Sequence, residues 1–370
     1  MSEQADGPEA PGSVTEFRER LAALLAAEVA GNAPRHVVVL ALDGVNVDVA
    51  RDCWPSARTR TLHTVWPTTT AAGWLSHLTG LTVAEHGVPG VVFRPAPGEA
   101  LVNVFDHPDP ALTGPVGTVF HDARRLGYEP AAVLGDLETY RCGWRDTVLD
   151  GVHRVLGHRF YLPDAGRYRP RPPELIGSLV LAALRDGLRR HGSSGPCLLW
   201  CYLEIDRHVH EHGYDGHTRQ VLAGLDRMAA RLADEGVLVV AHADHGLVPT
   251  RPDPELAATL AALAQRYGFE MGGAGRTRWL YPAPGTTDDL VGTLRERLPE
   301  SVTVEHADRL FGTPATSRAR PRVGDVVLTA TGEAFLADPT YHYEHGSLLP
   351  AELETPLSVW GHPAMEAISR

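Results

Sequence analysis

Three acidic residues follow long apolar runs, at the points where buried strands would end. Asp43 closes HVVVLALD, Asp206 closes PCLLWCYLEID, and Asp244 follows GVLVVAHA with His245 directly behind it. Carboxylate and imidazole side chains are common ligands of divalent metal ions in proteins. Two such ions about 3.5–4 Å apart are a frequent device for phosphoryl transfer, so the pattern indicates metal-assisted phosphoester chemistry.

Two further histidines extend the candidate ligand set. His210 follows Asp206 by four residues, so one helical turn would bring both side chains to the same ion. His345 lies in a loop before the last apolar run. A single Asp at a strand end is more often a turn or capping residue. The inference therefore rests on the coincidence of three carboxylates with three imidazoles.

The elements that must position these residues alternate along the chain. Apolar periodicity predicts a helix over 13–31, before the first apolar run, and helices over 173–191 and 217–235, which separate the runs. Such alternation predicts an α/β fold with a mostly parallel central sheet flanked by helices. Because ligands bind beyond the carboxyl ends of parallel strands, we expect the three carboxylates to meet at one edge of the sheet.

The composition predicts one catalytic domain that carries an insertion. Residues 1–14 are expected to be a disordered tail, and residues 15–370 the catalytic domain. The segment at about 247–343 is richer in Pro, Gly and Arg than the rest of the chain. This change in composition predicts an inserted subdomain that packs beside the main sheet.

Charge and hydropathy restrict the partners. The 370 residues carry a formal net charge of −12, which argues against a nucleic-acid polymer because phosphate backbones recruit Lys and Arg. No stretch approaches the roughly 20 apolar residues of a membrane span, and the first residues lack the pattern of a secretory signal. We therefore expect a cytoplasmic protein that acts on a small anionic substrate.

A threonine triplet, Thr68-Thr69-Thr70, precedes the apolar stretch AAGWLSHL. Threonine caps helices well, so the triplet could simply begin a helix. A hydroxyl placed beside metal ligands could instead be an activated nucleophile. The local sequence leaves both interpretations open.

A series of motifs resembles the type I phosphodiesterase/nucleotide pyrophosphatase branch of the alkaline phosphatase superfamily. In that branch a strand-end Asp is followed by P-T-x-T, T-G and H-G, then by D-x-x-x-H-x-x-G, D-H-G and a late H-G. Here these motifs are Asp43, Pro67–Thr70, Thr79-Gly80, His86-Gly87, Asp206–Gly213, Asp244–Gly246 and His345-Gly346. The resemblance implies an alkaline phosphatase-like fold.

The same resemblance implies roles for the candidate residues. The family's nucleophile lies ten residues before the Gly of T-G, which is Thr70 here, and Thr70 would also cap a helix that begins near Ala71. Two divalent ions, Zn²⁺ or Mn²⁺, are implied as cofactors. One ion would take Asp206, His210 and His345, and the other would take Asp43, Thr70, Asp244 and His245. The extra histidines His208 and His212 could compete as ligands.

Within that family the sequence resembles a subset of actinobacterial phosphodiesterases that act on cyclic di-AMP, through TTTA at 68–71 and HGSLLPAE at 345–352. Gly73 stands where many family members carry an Asn that holds a phosphate oxygen, and we expect its small size to leave room for a bulky diester. Trp74, Trp144 and Tyr214 are candidate aromatics for stacking on a base.

These features predict hydrolysis of phosphodiester bonds in a nucleotide, either cyclic di-AMP or a linear dinucleotide, by a threonine nucleophile. A phosphomonoesterase or nucleotide pyrophosphatase of a biosynthetic pathway is the alternative among enzymes. A catalytically silent nucleotide-binding regulator is the alternative outside enzymes. The sequence does not indicate the oligomeric state.

Overall fold

The computed structural model describes residues 11–109, 112–114, 116–157, 159–161 and 170–361. The strands in these residues are, in chain order, β1 (Gly12–Ser13), β2 (Val37–Asp43), β3 (Arg58–His63), β4 (Val92–Phe93), β5 (Val102–Asn103), β6 (Glu129–Val133), β7 (Arg154–Leu156), β8 (Cys197–Glu204), β9 (Leu238–Ala243), β10 (Val248–Pro249), β11 (Arg251–Pro252), β12 (Glu270–Ala274), β13 (Thr277–Tyr281), β14 (Val302–His306), β15 (Val326–Ala330), β16 (Ala334–Phe335), β17 (Tyr343–Glu344) and β18 (Glu354–Trp360). The α-helices are α1 (Phe17–Ala30), α2 (Val47–Cys53), α3 (Thr70–Thr79), α4 (Val83–His86), α5 (Val119–Arg125), α6 (Gly143–Val148), α7 (Pro173–His191), α8 (Asp206–His212), α9 (Gly216–Asp234), α10 (Pro254–Tyr267), α11 (Thr287–Arg297), α12 (Ala307–Phe311) and α13 (Pro350–Leu353).

Eight strands form the central sheet, in the spatial order β1-β3-β18-β9-β2-β8-β6-β7. β2 pairs in parallel with β8 on one side and with β9 on the other. The parallel arrangement continues through β6 to β7. β18 is antiparallel to both of its neighbours, β3 and β9. The predicted α/β class with a mostly parallel sheet is therefore confirmed.

β2 is buried on both faces, as its uninterrupted apolar run predicts. Side chains alternate between the two faces of a strand, so β2 contributes to two cores. One core holds Val37, Val39 and Ala41 with residues of α1, α3 and α5. The other holds Val38, Leu40 and Leu42 with residues of α2, α7 and α9. Helices thus cover both faces of the sheet.

The helix bounds follow the predicted ones closely. α7 spans the predicted 173–191, and α9 starts one residue before the predicted 217. At the N-terminal end, a 3-10 turn over Val14–Glu16 precedes α1. Gly12–Ser13 pair with β3 and Val14 is buried, so these residues of the predicted tail pack on the fold. Residues 1–10 lie outside the described part of the chain.

A second sheet of six strands has the order β14-β15-β13-β12-β4-β5. Four of these strands come from the predicted insertion, and three of them, β13, β14 and β15, enclose a separate apolar core with α10 and α11. β4 and β5 come from before residue 247, so the second sheet is not built by the insertion alone. A membrane-crossing helix needs about 20 apolar residues, and no helix in the described part of the chain meets that requirement.

Candidate active site

The three carboxylates meet at one edge because their strands end at the same level. Asp43 of β2 is in register with Glu204 of β8, and the residue before Asp43 is in register with Ala243 of β9. Asp206 lies two residues beyond the end of β8, and Asp244 directly follows β9. Gly44 leaves β2 with a φ of 75°, and a Cβ there would lie 2.8 Å from the Cα of Asp206. A side chain at this turn would therefore push two of the carboxylates apart.

One cluster of ligand atoms gathers around His245. Its Nε2 lies 3.6 Å from Oδ1 of Asp43 and 3.3 Å from Oδ2 of Asp244. The hydroxyl of Thr70 lies 3.2 Å from the same Nε2 and 3.4 Å from Oδ1 of Asp43. Asp43, Asp244 and His245 are all buried and could hold a metal ion. The structure thus brings Thr70 together with its three predicted partners.

A second cluster lies beside the first. Nε2 of His210 is 3.0 Å from Oδ2 of Asp206, and Nε2 of His345 is 3.9 Å from Oδ1 of the same carboxylate. The imidazoles of His245 and His345 stack with their centroids 3.8 Å apart, which joins the two clusters. Asp206 with His245 and His345 also forms a group that could hold a metal ion. All seven predicted ligands therefore share one site.

The backbone fixes which ring nitrogen of each histidine faces the site. In all three rings Nδ1 lies within hydrogen-bonding distance of a backbone carbonyl, which can only accept. The pairs are His210 with Tyr343 at 2.8 Å, His245 with Gly246 at 3.3 Å and His345 with Thr68 at 2.6 Å. Nδ1–H therefore donates to the carbonyl in each ring, and Nε2 faces the carboxylates, where its deprotonated form could bind a metal ion. Histidine ligands of metal ions are oriented in this way.

The carboxylates also fit divalent cations. Oδ1 of Asp206 and Oδ2 of Asp244 are buried and have no hydrogen-bond partner among the described residues. Burial, reinforced by the charge of Asp206, raises the pKa of Asp43 to about 7, and burial with the charge of Asp43 raises that of Asp244. Burial alone would raise the pKa of Asp206 as well, but His210 and the other nearby imidazoles lower it. A cation at this place would offset the repulsion that the three carboxylates exert on one another.

Thr70 is the first residue of α3, and Thr69 is the N-cap, one residue earlier than the sequence predicts. The carbonyl of Thr69 accepts the first helical hydrogen bonds, from Ala72 and Gly73. The amides of the first turn and the positive end of the helix dipole therefore lie beside the Thr70 hydroxyl. Helix N-termini of this kind bind phosphate groups.

Gly73 does not border an open space, contrary to the sequence interpretation. A Cβ at this position would lie 2.9 Å from the Cβ of Asp244 and 3.0 Å from its carbonyl oxygen. The glycine therefore allows α3 to approach the loop that carries Asp244. Its absent side chain provides no room for a substrate.

The candidate aromatics are placed mainly inside the protein. Trp74 is fully buried, with its ring edge-to-face against Trp200 and Tyr202, so neither of its faces is open to a base. Trp144 is also buried and donates a hydrogen bond to the carbonyl of Ala71 at 3.0 Å. These tryptophans therefore help to hold α3 in place inside the protein. Because their rings are buried, they cannot stack on a base, and the sequence alone did not reveal this burial.

Tyr214 connects two loops of the site. Its hydroxyl donates to the carbonyl of Gly44 at 3.0 Å and accepts from the amide of Leu247 at 3.0 Å. These loops follow β2 and β9, the strands that end at Asp43 and Asp244. The observed contacts of Tyr214 thus brace the site.

His208 and His212 lie on a different side of α8 from His210. His208 is 3.1 Å from Oδ1 of Asp215, and its ring is 4.7 Å from that of His212 and 4.5 Å from that of His217. Within the described ranges, no group of potential metal ligands includes either residue. The structure therefore does not bring them to the candidate site.

Sequence reasoning missed Glu344, a buried carboxylate beside two of the predicted ligands. It accepts the backbone N–H of His345 at 3.0 Å, and its Oε1 lies 4.0 Å from Nδ1 of His210. Glu344, His210 and His345 also form a group that could hold a metal ion. Glu344 nevertheless faces the protonated Nδ1 edge of His210, so its geometry supports the ligands rather than adding one. The only sequence signal was its position directly before His345.

Comparisons with known proteins agree with this architecture. Residues 55–347 match the family of type I phosphodiesterase / nucleotide pyrophosphatase proteins. No curated protein shows significant sequence similarity to the chain. Phosphonoacetate hydrolase from Sinorhizobium meliloti, solved in complex with phosphonoacetate, has a TM-score of 0.64 at 20% identity, over 90% of this chain and 95% of that chain.

Murine ectonucleotide pyrophosphatase/phosphodiesterase 5 has a TM-score of 0.62 at 15% identity, over 88% of both chains. An inactive variant of the murine protein, with a threonine changed to alanine, was solved in complex with AMP and gives a TM-score of 0.61. The fold shared with these structures is the alkaline phosphatase-like α/β fold. Since the family match covers most of the chain, including the threonine triplet and every clustered ligand except Asp43, the chain belongs to the type I phosphodiesterase/nucleotide pyrophosphatase family of phosphoester-cleaving enzymes.

Proposed function

We propose that this protein is a two-metal hydrolase that cleaves a phosphodiester bond of a nucleotide, with Thr70 as the nucleophile. The observation that carries the proposal is the position of the Thr70 hydroxyl. It lies 3.4 Å from Asp43 and 3.2 Å from His245, at the N-terminus of α3. No other hydroxyl of the threonine triplet is placed in this way, because Thr68 bonds to Glu352 and Thr69 is buried.

The family resemblance implies two sets of ligand atoms. Asp206, His210 and His345 would hold one divalent ion, Zn²⁺ or Mn²⁺. Asp43, Thr70, Asp244 and His245 would hold the other. When bound, the two ions lower the pKa of a coordinated hydroxyl and neutralise the charge of the phosphate.

The residues of the chain then account for the remaining steps. The Thr70 oxygen attacks phosphorus while the amides of the first turn of α3 bind the phosphate oxygens. The bond from phosphorus to the leaving oxygen breaks as the bond to Thr70 forms, and the proton that Thr70 releases balances the one that the leaving oxygen takes up to become an alcohol. Water then cleaves the threonine ester, which releases the phosphate product and restores the hydroxyl with its proton.

A nucleotide substrate is supported by the family and by the AMP found in the murine neighbour's structure. Cyclic di-AMP is our first candidate, on the resemblance of the TTTA and HGSLLPAE segments. The packing of Gly73 removes the steric argument for it. A nucleotide pyrophosphatase is the second candidate, favoured by the activity in the name of the family. A silent regulator is disfavoured because Thr70 and all its partners are present, and a cytoplasmic location stays a prediction.

Turnover assays with matched variants test the proposal. Protein stripped by chelation and reloaded with Mn²⁺ or Zn²⁺ should cleave bis(p-nitrophenyl) phosphate faster than p-nitrophenyl phosphate, and it should hydrolyse cyclic di-AMP. Thr70→Ala should fold and keep metal but lose several orders of magnitude in rate. Thr69→Ala is the control, since the buried Thr69 hydroxyl has no hydrogen-bond partner among the described residues.

Full activity after exhaustive chelation would contradict the metal requirement. Near-normal turnover of Thr70→Ala would contradict the nucleophile. Faster cleavage of the monoester, with cyclic dinucleotides left intact, would transfer the assignment to a phosphomonoesterase.

A further inference from the structure

A buried ion pair lies behind the site, where the two sheets meet. Nε of Arg276 is 2.8 Å from Oε1 of Glu352, and both side chains are at most 1% exposed. Arg276 directly precedes β13 of the second sheet, and Glu352 lies in α13, next to β18 of the central sheet. Taking two charges out of water costs several kcal/mol per ion, so such a pair is weak evidence of a purely stabilising role.

Glu352 uses both of its oxygens to hold segments of the site. Oε1 accepts the hydroxyl of Ser347 at 2.6 Å. Oε2 accepts the hydroxyl of Thr68 at 2.9 Å and also the backbone N–H of Ser347. The carboxylate therefore joins the threonine triplet to the loop that follows His345.

Thr68 continues the connection on its other side. Its hydroxyl accepts the backbone N–H of Gly346 at 2.8 Å, and its carbonyl accepts Nδ1–H of His345 at 2.6 Å. Thr68 thus bonds to His345 and to the residue after it, and it lies two residues before Thr70. The backbone of Arg276 completes the connection, because its N–H donates to the carbonyl of His345 at 2.8 Å.

We propose that Glu352 and Thr68 are positioning residues that hold Nε2 of His345 and the hydroxyl of Thr70 in one rigid frame. This inference rests on the proposed function, in which His345 and Thr70 belong to different metal ions. Arg276 neutralises Glu352 and anchors the frame to the second sheet. The second sheet thereby helps to position the site, although none of the proposed ligands belongs to that sheet.

The physical reason for the proposal is that catalytic and metal sites tolerate only small displacements of their side chains. A displacement of about 1 Å can cost a hundredfold in rate, and loss of a partner that orients a ligand typically costs 10–100-fold in metal affinity. Thr68, Thr69 and the His345 loop lie outside regular helices and strands, so side-chain bonds rather than a regular ladder must set their separation. Glu352 is the one side chain that bonds to both segments within the described residues.

Substitutions at Thr68 separate positioning from simple packing. Thr68→Val keeps the shape and the carbonyl that orients His345, but it loses the bonds to Glu352 and Gly346. We expect Mn²⁺ to bind about 10–100-fold more weakly at one of two sites, and kcat for bis(p-nitrophenyl) phosphate to fall about as far. KM should change little, since substrate contacts are kept. Thr68→Ser should restore both quantities to within about threefold.

Thr355→Val is the matched control, because Thr355 is also fully buried and its hydroxyl donates to the carbonyl of Leu62 at 3.3 Å. It should lower Tm without changing Mn²⁺ affinity or kcat. If Thr68→Val does not fold, Ser347→Ala removes one bond to Glu352 and should weaken Mn²⁺ binding and kcat in the same direction.

Titration calorimetry with Mn²⁺ alone gives a readout that does not depend on turnover. The inference would be overturned if Thr68→Val, or Ser347→Ala in its place, had a lower Tm but kept wild-type Mn²⁺ affinity and kcat. A wild-type protein that neither binds Mn²⁺ nor turns over any phosphoester would overturn the proposed function, and this inference with it. The two failures are therefore distinguishable.

Discussion

Substitution of Gly73 by alanine tests whether this glycine serves packing or substrate space. The added Cβ would lie 2.9 Å from the Cβ of Asp244 and 3.0 Å from its carbonyl oxygen. Neither atom can move away easily, because Asp244 is fully buried and follows the central strand β9. The methyl group must therefore displace α3 or the Asp244 loop by a few tenths of an ångström.

The expected magnitude combines two opposing effects. Alanine is favoured over glycine in a helix interior by about 1 kcal/mol. Overpacking of a well-packed core costs about 1–3 kcal/mol. Gly73→Ala should therefore lower the free energy of unfolding by about 0–2 kcal/mol. Because the displaced residue is a proposed ligand, Mn²⁺ affinity should fall about tenfold.

Gly292→Ala provides the matched control, since Gly292 lies within α11 and a Cβ there would meet nothing within 4 Å. It should gain about 0.5–1 kcal/mol in stability and keep its Mn²⁺ affinity. Urea denaturation and calorimetric Mn²⁺ titration of both variants give the comparison. The reasoning is refuted if Gly73→Ala gains stability as Gly292→Ala does, keeps Mn²⁺ affinity, and changes only the preference between diester and monoester.

Two further predictions concern buried polar groups. Burial, with the charges of Arg318 and Arg322, lowers the pKa of His86 to about 3. The unfolded chain binds this proton below about pH 6.5, so the stabilising contribution is complete above that pH and falls by about 1.4 kcal/mol per pH unit on acidification toward pH 3. His86→Asn should make the free energy of unfolding less dependent on pH between pH 6 and 4, by about 1.4 kcal/mol per pH unit, which corresponds to one proton. An unchanged dependence on pH would contradict this. The Tyr202 hydroxyl donates to Asp43, so Tyr202→Phe should weaken Mn²⁺ binding about tenfold while the far-UV spectrum is unchanged; wild-type affinity would contradict it.

The central strands could be predicted because their signal is local. β2, β8 and β9 are mostly apolar, and each ends at or within two residues of an acidic side chain that cannot be buried without a partner. The parallel register then aligns Asp43 with the ends of the neighbouring strands. The positions of Asp206 and Asp244 thus follow from burial and strand polarity. For the same reason the three carboxylates could be proposed as ligands before the geometry was known.

Other features depend on contacts between distant parts of the chain. β18 is antiparallel in an otherwise mostly parallel sheet, and no local pattern fixes the direction of a strand. The burial of Trp74 and the packing of Gly73 against Asp244 depend on how α3 docks on the sheet. The connection from Glu352 to Thr68 joins residues 284 positions apart. Hydropathy and spacing carry no information about such pairings.

The most direct test of the account is to trap the reaction on the protein. Mn²⁺-loaded enzyme would be mixed with a labelled nucleotide diester, quenched in acid within milliseconds, digested, and mapped by mass spectrometry. The account predicts one phosphoryl or nucleotidyl adduct, on Thr70, which forms during turnover and is absent from Thr70→Ala. An adduct on another residue, or multiple turnovers by Thr70→Ala, would contradict it.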